Sequence, residues 1–193
     1  MIPLQKRLGD VAEIYAGIPG LGNEGLYSYQ VLLPNSFTDT GEICFVDTQY
    51  KNEEVSRQQT LYKDDILVKR LNPSFVHIVS DETAGMIASQ NLLVVRPSDG
   101  ISPFYLGYLL EQKEIIGQIL QVTGSAAPIK AISIKKLADT MIPIVSSENQ
   151  NKIGELWRLS RKRKQLLRDY IDANDNLVSA LTSHIISNGG LNK

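Results

Sequence analysis

The sequence has a single cysteine, Cys44, and only two histidines, His77 and His184. No internal disulfide can form, and a Cys/His zinc site has too few ligands. Long apolar runs are missing too. Asn91 to Val95 and Ile115 to Val122 fall far short of the roughly 20 residues needed to cross a bilayer. No apolar signal core follows basic residues at the N-terminus, so a cytoplasmic protein is expected, with no membrane partner. Internal repeats are absent. So is any excess of one charge: the formal net charge of -1 argues against a nonspecific polybasic coat for nucleic acid, though not against a local basic face. From Ser147 onward bases outnumber acids, which leaves the first part net acidic.

The 193 residues, 42% of them hydrophobic, suffice for one proper core, with a second part only if it is small or extended. Leu8 to Ile14 reads as a short helix capped by Asp10 and closed by the Gly17-Ile18-Pro19-Gly20 turn. Short β-rich runs follow at Tyr29 to Leu33, Glu42 to Val46, Asp65 to Lys69, Phe75 to Val79 and Asn91 to Val95. Ser102-Pro103 starts an amphipathic helix through Leu110, since proline suits the first helical turn. Glu114 to Gln121 is a second helical stretch, leading to a loop over Thr123 to Pro128. Beyond it come Ile129 to Ile134, Lys135 to Asp139 and an extended Met141 to Val145.

Ser147 and Gln150 have the spacing of a capping box and mark a helix start. Apart from Gly154, no glycine or proline interrupts the chain from there to Asn188, and Gly189-Gly190 supplies the stop. The result is a rod of roughly 60 Å. Along it Leu156, Ser160, Arg163, Leu167, Tyr170, Asn174, Leu177, Leu181 and His184 fall on one stripe at alternating spacings of four and three. Such a stripe needs a partner helix, and the chain offers no second long one. A symmetric dimer is the simplest solution, with Asn174 as the register-setting polar position. The expected architecture is therefore mixed α/β (α+β): a globular domain over 1–146, then one long coiled-coil helix over 147–193.

Active-site patterns fail on inspection. Asn72-Pro73-Ser74-Phe75 approaches the Asn-Pro-Pro-aromatic motif of amino-methyltransferases, but serine replaces the second proline and no strand-Gly-x-Gly loop precedes it. Asp99 with Glu111-Gln112-Lys113 imitates a metal-dependent nuclease, yet Glu111 falls at the end of a helix and reads as a solvated terminus. Asp64-Asp65 reads as an ordinary turn into a strand. His77, between Val76 and Ile78, reads as a structural histidine. No nucleophile, base and orienting acid can be assembled, so no catalysis is expected of this chain.

Three landmarks occur in a fixed order: Leu8-Gly9-Asp10-Val11; then Leu61 with Asp64-Asp65-Ile66-Leu67; then Ile129 through Leu137, Ile142-Pro143, Gln150 and Ile153 leading into the long helix. Together with Asn91 to Pro97 and the Pro103-Phe104-Tyr105-Leu106 helix start, they resemble the target-recognition domain and spacer helix of type I restriction-modification specificity (S) subunits. The resemblance covers nearly the whole chain. Such subunits carry two recognition domains and two spacer helices, whereas this chain has one of each and is similar to a half-length form. A natural half-subunit that dimerises, a truncated product and an excised domain all fit.

The resemblance implies a non-catalytic reader of double-stranded DNA. Each domain would read one half-site while the helices pair antiparallel, so that a homodimer recognises a bipartite inverted repeat with a nonspecific spacer. A methyltransferase (M) subunit and a restriction (R) subunit are the implied partners. S-adenosylmethionine, ATP and magnesium would belong to them, and no cofactor is expected here. For DNA contact the best-placed sets are Arg57-Gln58-Gln59 and Lys69-Arg70-Leu71-Asn72, which put cations for guanine or phosphate beside amides for adenine. Ser89-Gln90-Asn91, and Ser125 with Lys130, are of the same type. Exposed loops with no ligand carry such residues as well. Leu156, Leu167, Tyr170, Asn174, Leu177 and Leu181 are the candidates for dimerisation. The basic cluster Arg158, Arg161, Lys162, Arg163, Lys164 and Arg168 suits a solvated flank, a methyltransferase dock or a contact with spacer phosphates. Two other readings of the chain are a coiled-coil adaptor that binds no DNA and a small enzyme with an unrecognised site.

Overall fold

The structure is a computed structural model that describes residues 4–38, 40–71, 75–120 and 131–189. The expected architecture is present: a mixed α+β unit and a long C-terminal helix. By its contacts the chain divides into one compact unit that runs to Trp157 and a second from Arg158 onward.

The centre of the first unit is an antiparallel four-stranded sheet in the order β2-β8-β5-β6, formed by β2 (Ala12–Ala16), β8 (Leu92–Pro97), β5 (Ile66–Lys69) and β6 (Val76–Ile78). Alternation across this sheet serves two cores. Ile66, Val68, Val76, Leu93 and Val95 join one cluster, while Leu67, Leu92 and Val94 join the other. Burial on both faces explains why Leu92 to Val95 reads as an unbroken apolar run.

The first core is closed by α1 (Pro103–Leu110), α2 (Lys113–Leu120), α3 (Ile134–Asp139) and β9 (Met141–Ile144), which pairs antiparallel with β1 (Leu4–Arg7). The second core receives Leu32, Phe37, Leu61, Phe75 and Ala88. Leu32 and Ala88 come from a small sheet ordered β4-β3-β7, made of β3 (Tyr27–Leu32), β4 (Asp47–Lys51) and β7 (Ile87–Ala88).

Several local expectations need correction. The segment Leu8 to Ile14 is no helix: Leu8–Asp10 is one 3-10 turn, and Ala12 onward is β2, whose pairing with β8 supplies the hydrogen bonds a helix would have. Asp10 pairs with Arg7 instead of capping. Glu42 to Val46 is not a strand. Gly41 turns with a φ of 77°, Ile43 makes only an isolated bridge to Phe37, and the strand begins at Asp47. Glu111 is not a solvated terminus: its carboxylate accepts from the indole Nε1 of Trp157 at 2.8 Å and from the Val76 amide at 3.3 Å.

The long helix, α4 (Ser147–Gly189), starts where expected, but its cap is Ser146, whose hydroxyl accepts from the Asn149 amide. Gln150 does something else. It is 3% exposed, accepts from the Ser102 amide and donates to the Val145 carbonyl, both at 3.0 Å, stitching the α4 start to the α1 start. Gly154 lets the two helices touch: a Cβ there would sit 2.8 Å from that of Phe104. The first turns of α4 thus belong to the compact unit, which is why that unit extends to Trp157.

From Arg158 onward the described residues of the second unit belong to α4. Leu167, Tyr170, Leu177 and Leu181 are 53 to 73% exposed, as is Leu156 in the preceding turn at 69%, and Asn174 is exposed on the same stripe. Leu159, Leu166, Ile171 and Val178 flank the stripe and are also at least half exposed, so the apolar face is broader than a two-position seam.

Candidate nucleic-acid interface

The candidate contact residues that the structure describes gather around one turn that sequence reading treated only as punctuation. Gly17, Ile18 and Pro19 follow β2. The Gly17 amide donates to the Leu92 carbonyl at 3.0 Å and the Ile18 amide to the Ala88 carbonyl at 2.8 Å. The Ile18 carbonyl in turn accepts from the Gln90 amide at 3.1 Å. Asn91 is next along the chain, and its carbonyl accepts from the Arg70 amide at 3.0 Å, one residue beyond the register pair Lys69 and Leu92. On the other side of the turn, Ile18 and Pro19 share a cleft of about 320 Å³ with Glu13, Tyr15, Gln58 and Gln59. A continuous rim therefore runs from the 57–59 turn past Gly17–Pro19 and Gln90-Asn91 to Lys69-Arg70.

Along this rim Arg57, Gln58, Gln59, Gln90 and Asn91 are exposed, and Lys69 and Arg70 are half-buried. Among the described residues neither Arg57, Lys69 nor Arg70 makes an ion pair. Uncommitted cations beside exposed amides suit an anionic, hydrogen-bonding ligand. Gln59 is partly committed, because its Oε1 accepts from the Ser56 amide at 3.3 Å and hydroxyl at 3.0 Å. Arg57 and Gln58 are the freer members of that turn. Asn72, Ser125 and Lys130 lie outside the described residues. Ala131, which follows Lys130 in sequence, bridges Leu71 at the Arg70 end of the rim.

The cleft is underpinned by a group that sequence reading missed. Asp65, 1% exposed, receives Arg96 in a two-point ion pair, Nε to Oδ1 at 2.8 Å and Nη2 to Oδ2 at 2.7 Å. The guanidinium also donates to the Tyr15 hydroxyl at 2.8 Å and the Thr60 carbonyl at 3.3 Å, and lies 3.9 Å from the centre of the Tyr62 ring. The Asp65 hydrogen bond holds the Arg96 pKa above its ordinary value. Burial, reinforced by the Asp65 charge and opposed by Arg96, pushes the Tyr15 phenol up to about 12, so it stays protonated at neutral pH. The signal available in the sequence was the cross-strand register: Ile66 opposite Val95 places Asp65 opposite Arg96.

Among the described residues no group of three His, Cys, Asp or Glu side chains is placed to hold a metal ion, and no helix is long and apolar enough to cross a membrane. His77, whose Nδ1 lies 2.8 Å from the Gly41 carbonyl, packs against Phe37.

No protein-family model matches the sequence, and no curated protein sequence matches it. Solved structures do. The HsdS subunit from Thermoanaerobacter tengcongensis superposes with a TM-score of 0.65 at 17% identity, over 95% of this chain and 48% of that one. The S subunit of the type I restriction-modification system from M. genitalium gives 0.62 at 16%, over 97% and 49%. A chain from a study of assembly and conformational transition in the type I R-M system gives 0.68 at 15%, over 94% and 48%. The chain spans about half the length of these structures and has the fold of that half.

Proposed function

We propose that the chain is a DNA-reading specificity module of the type I restriction-modification kind, acting in the cytoplasm without catalysis of its own. The observation that carries this is the fold, matched over nearly the whole chain by half of an S subunit. In this reading the rim from Arg57 to Arg70 meets one half-site: Arg57, Lys69 and Arg70 on phosphate or guanine, and Gln58, Gln59, Gln90 and Asn91 on adenine edges. Asn72, Ser125 and Lys130 are proposed contacts of the same kind. Methylation and cleavage, with S-adenosylmethionine, ATP and magnesium, fall to methyltransferase and restriction subunits.

The exposed apolar face of α4 is read as the surface for a second copy, through Leu156, Leu167, Tyr170, Asn174, Leu177 and Leu181. Charge favours an antiparallel pair. The bases from Arg158 to Arg168 precede the acids Asp169, Asp172 and Asp175 along the helix, so antiparallel packing sets basic against acidic where parallel packing would stack like charges. Two-fold symmetry then imposes an inverted repeat on the DNA.

The test is selection from a duplex library with two randomised blocks at varied separation, using the full chain alone and with a methyltransferase subunit. A two-part inverted motif at one spacing is expected. No enrichment in either arm would leave the coiled-coil adaptor as the better reading, and a strict monomer by sedimentation at all concentrations would remove the inverted-repeat element.

A further inference from the structure

Arg96 stands at a junction that joins both walls of the cleft. One wall is β2 and its turn, held through the Tyr15 hydroxyl; the other is the 57–59 turn, reached through Thr60. Thr60 closes that turn, its amide donating to the Arg57 carbonyl at 3.2 Å and its hydroxyl at 2.8 Å. The Thr60 carbonyl is the one that Arg96 takes. Two residues on, the Tyr62 amide donates to Asp65 Oδ2 at 2.8 Å, so the carboxylate that orients Arg96 also pins the strand side of the same loop. A run of bonds thus leads from buried Asp65 through Arg96 and Thr60 to the backbone of Arg57.

We infer that Arg96, oriented by Asp65, is a positioning residue that fixes the 57–59 turn against the Tyr15–Pro19 wall and thereby sets which base pairs that turn distinguishes. The inference rests on the DNA-reading role proposed above. A guanidinium is needed because lysine can meet Asp65 but is a point donor, unable to hold a carboxylate at two points and the Thr60 and Tyr15 oxygens together. Contacts that discriminate bases depend on placement to within about half an ångström, whereas phosphate contacts tolerate a shifted loop.

The test is Arg96→Lys in the full chain, read by motif selection, by salt-dependent binding to random DNA and by amide hydrogen exchange. The expected result is a roughly tenfold or larger fall in the ratio of specific to nonspecific affinity, confined to a subset of motif positions. Nonspecific binding and its salt slope, which counts phosphate contacts, should stay unchanged. Exchange at Gln59, Thr60 and Tyr62, whose amides are bonded in and beside the turn, should accelerate about tenfold while α1 amides keep their protection. Thr60→Val, which deletes only the hydroxyl link to Arg57, should change the same motif positions more weakly and serves if Arg96→Lys fails to fold. Faster exchange everywhere, or a loosened turn with the wild-type motif intact, overturns the inference. A wild-type chain that selects no motif overturns the DNA-reading role itself, an outcome separable from the former because it needs no variant.

Discussion

Three glycines in one short segment should respond to alanine in three different ways. At Gly17 a Cβ would stand 2.2 Å from the Ser89 carbonyl oxygen and 2.3 Å from that of Ala88, both backbone atoms with no flexible tip to yield. Relief requires the turn to lift by about 1 Å from β7 and β8. That stretches the bonds from Gly17 to Leu92, from Ile18 to Ala88 and from Gln90 to Ile18, now 2.8 to 3.1 Å, beyond useful length. At about 0.5–1.5 kcal/mol net for each bond, Gly17→Ala should cost about 2–4 kcal/mol. Gly20 has open space around it but a φ of 72°, so Gly20→Ala should cost about 1 kcal/mol from backbone conformation alone. Gly22 has neither obstacle, and Gly22→Ala should be neutral or stabilise by up to about 0.5 kcal/mol. Urea unfolding followed by the fluorescence of Trp157, the only tryptophan, gives all three at an unchanged m-value. Equal losses at the three sites, or less than about 0.5 kcal/mol at Gly17, would refute close approach as the reason for glycine there.

Glu111→Ala removes acceptors from the Trp157 indole and the Val76 amide, and should red-shift the tryptophan emission and cost about 1–3 kcal/mol in chemical denaturation. Gln150→Ala strands the Ser102 amide and the Val145 carbonyl, so about 2 kcal/mol of stability should disappear in the same measurement, with exchange fastest at the starts of α1 and α4. Tyr15 should ionise only near pH 12 when the tyrosinate absorbance lost in Tyr15→Phe is followed at high pH, since burial pushes its phenol up to about 12. Because the folded value lies above the unfolded one, the stability it adds is complete below about pH 10 and lost as pH rises through about 12. Tyr15→Phe should remove that part of the alkaline slope, which acid unfolding would not reveal.

What could be read from the sequence was whatever a segment decides for itself. β8 and β5 carry apolar runs, α1 carries its Ser102 cap and a proline, and α4 runs long without a breaker. Elements imposed by a partner were not legible. β1 is exposed throughout and exists because β9 pairs with it; β7 is two residues held at the edge of the small sheet by β3; β2 has helix-compatible residues that the β8 edge turns into a strand. The slip at the α4 cap has a smaller cause, two adjacent serines of which only Ser146 faces the orphan amide. For the rim, amides and cations were visible as types. The Gly17–Pro19 turn that gathers them was not, since its role lies in backbone bonds to residues seventy or more positions away.

The ordered landmarks gain a physical meaning from the sheet. Asp64-Asp65-Ile66-Leu67 and Asn91 to Pro97 are each commonplace as sequences. Antiparallel pairing of β5 with β8 forces Asp65 and Arg96 to the same point on the same face, above the second core. A carboxylate 1% exposed is tolerable there only with its two-point partner, and losing either one leaves a buried charge, typically a loss of about 3–5 kcal/mol. The two pieces therefore constrain each other, through an ion pair that also supports both walls of the cleft. This pair holds the cleft in shape through Tyr15 and Thr60 without drawing on the side chains of Arg57, Gln58, Gln90 or Arg70, so that under the proposed DNA-reading role the rim and its support are separable.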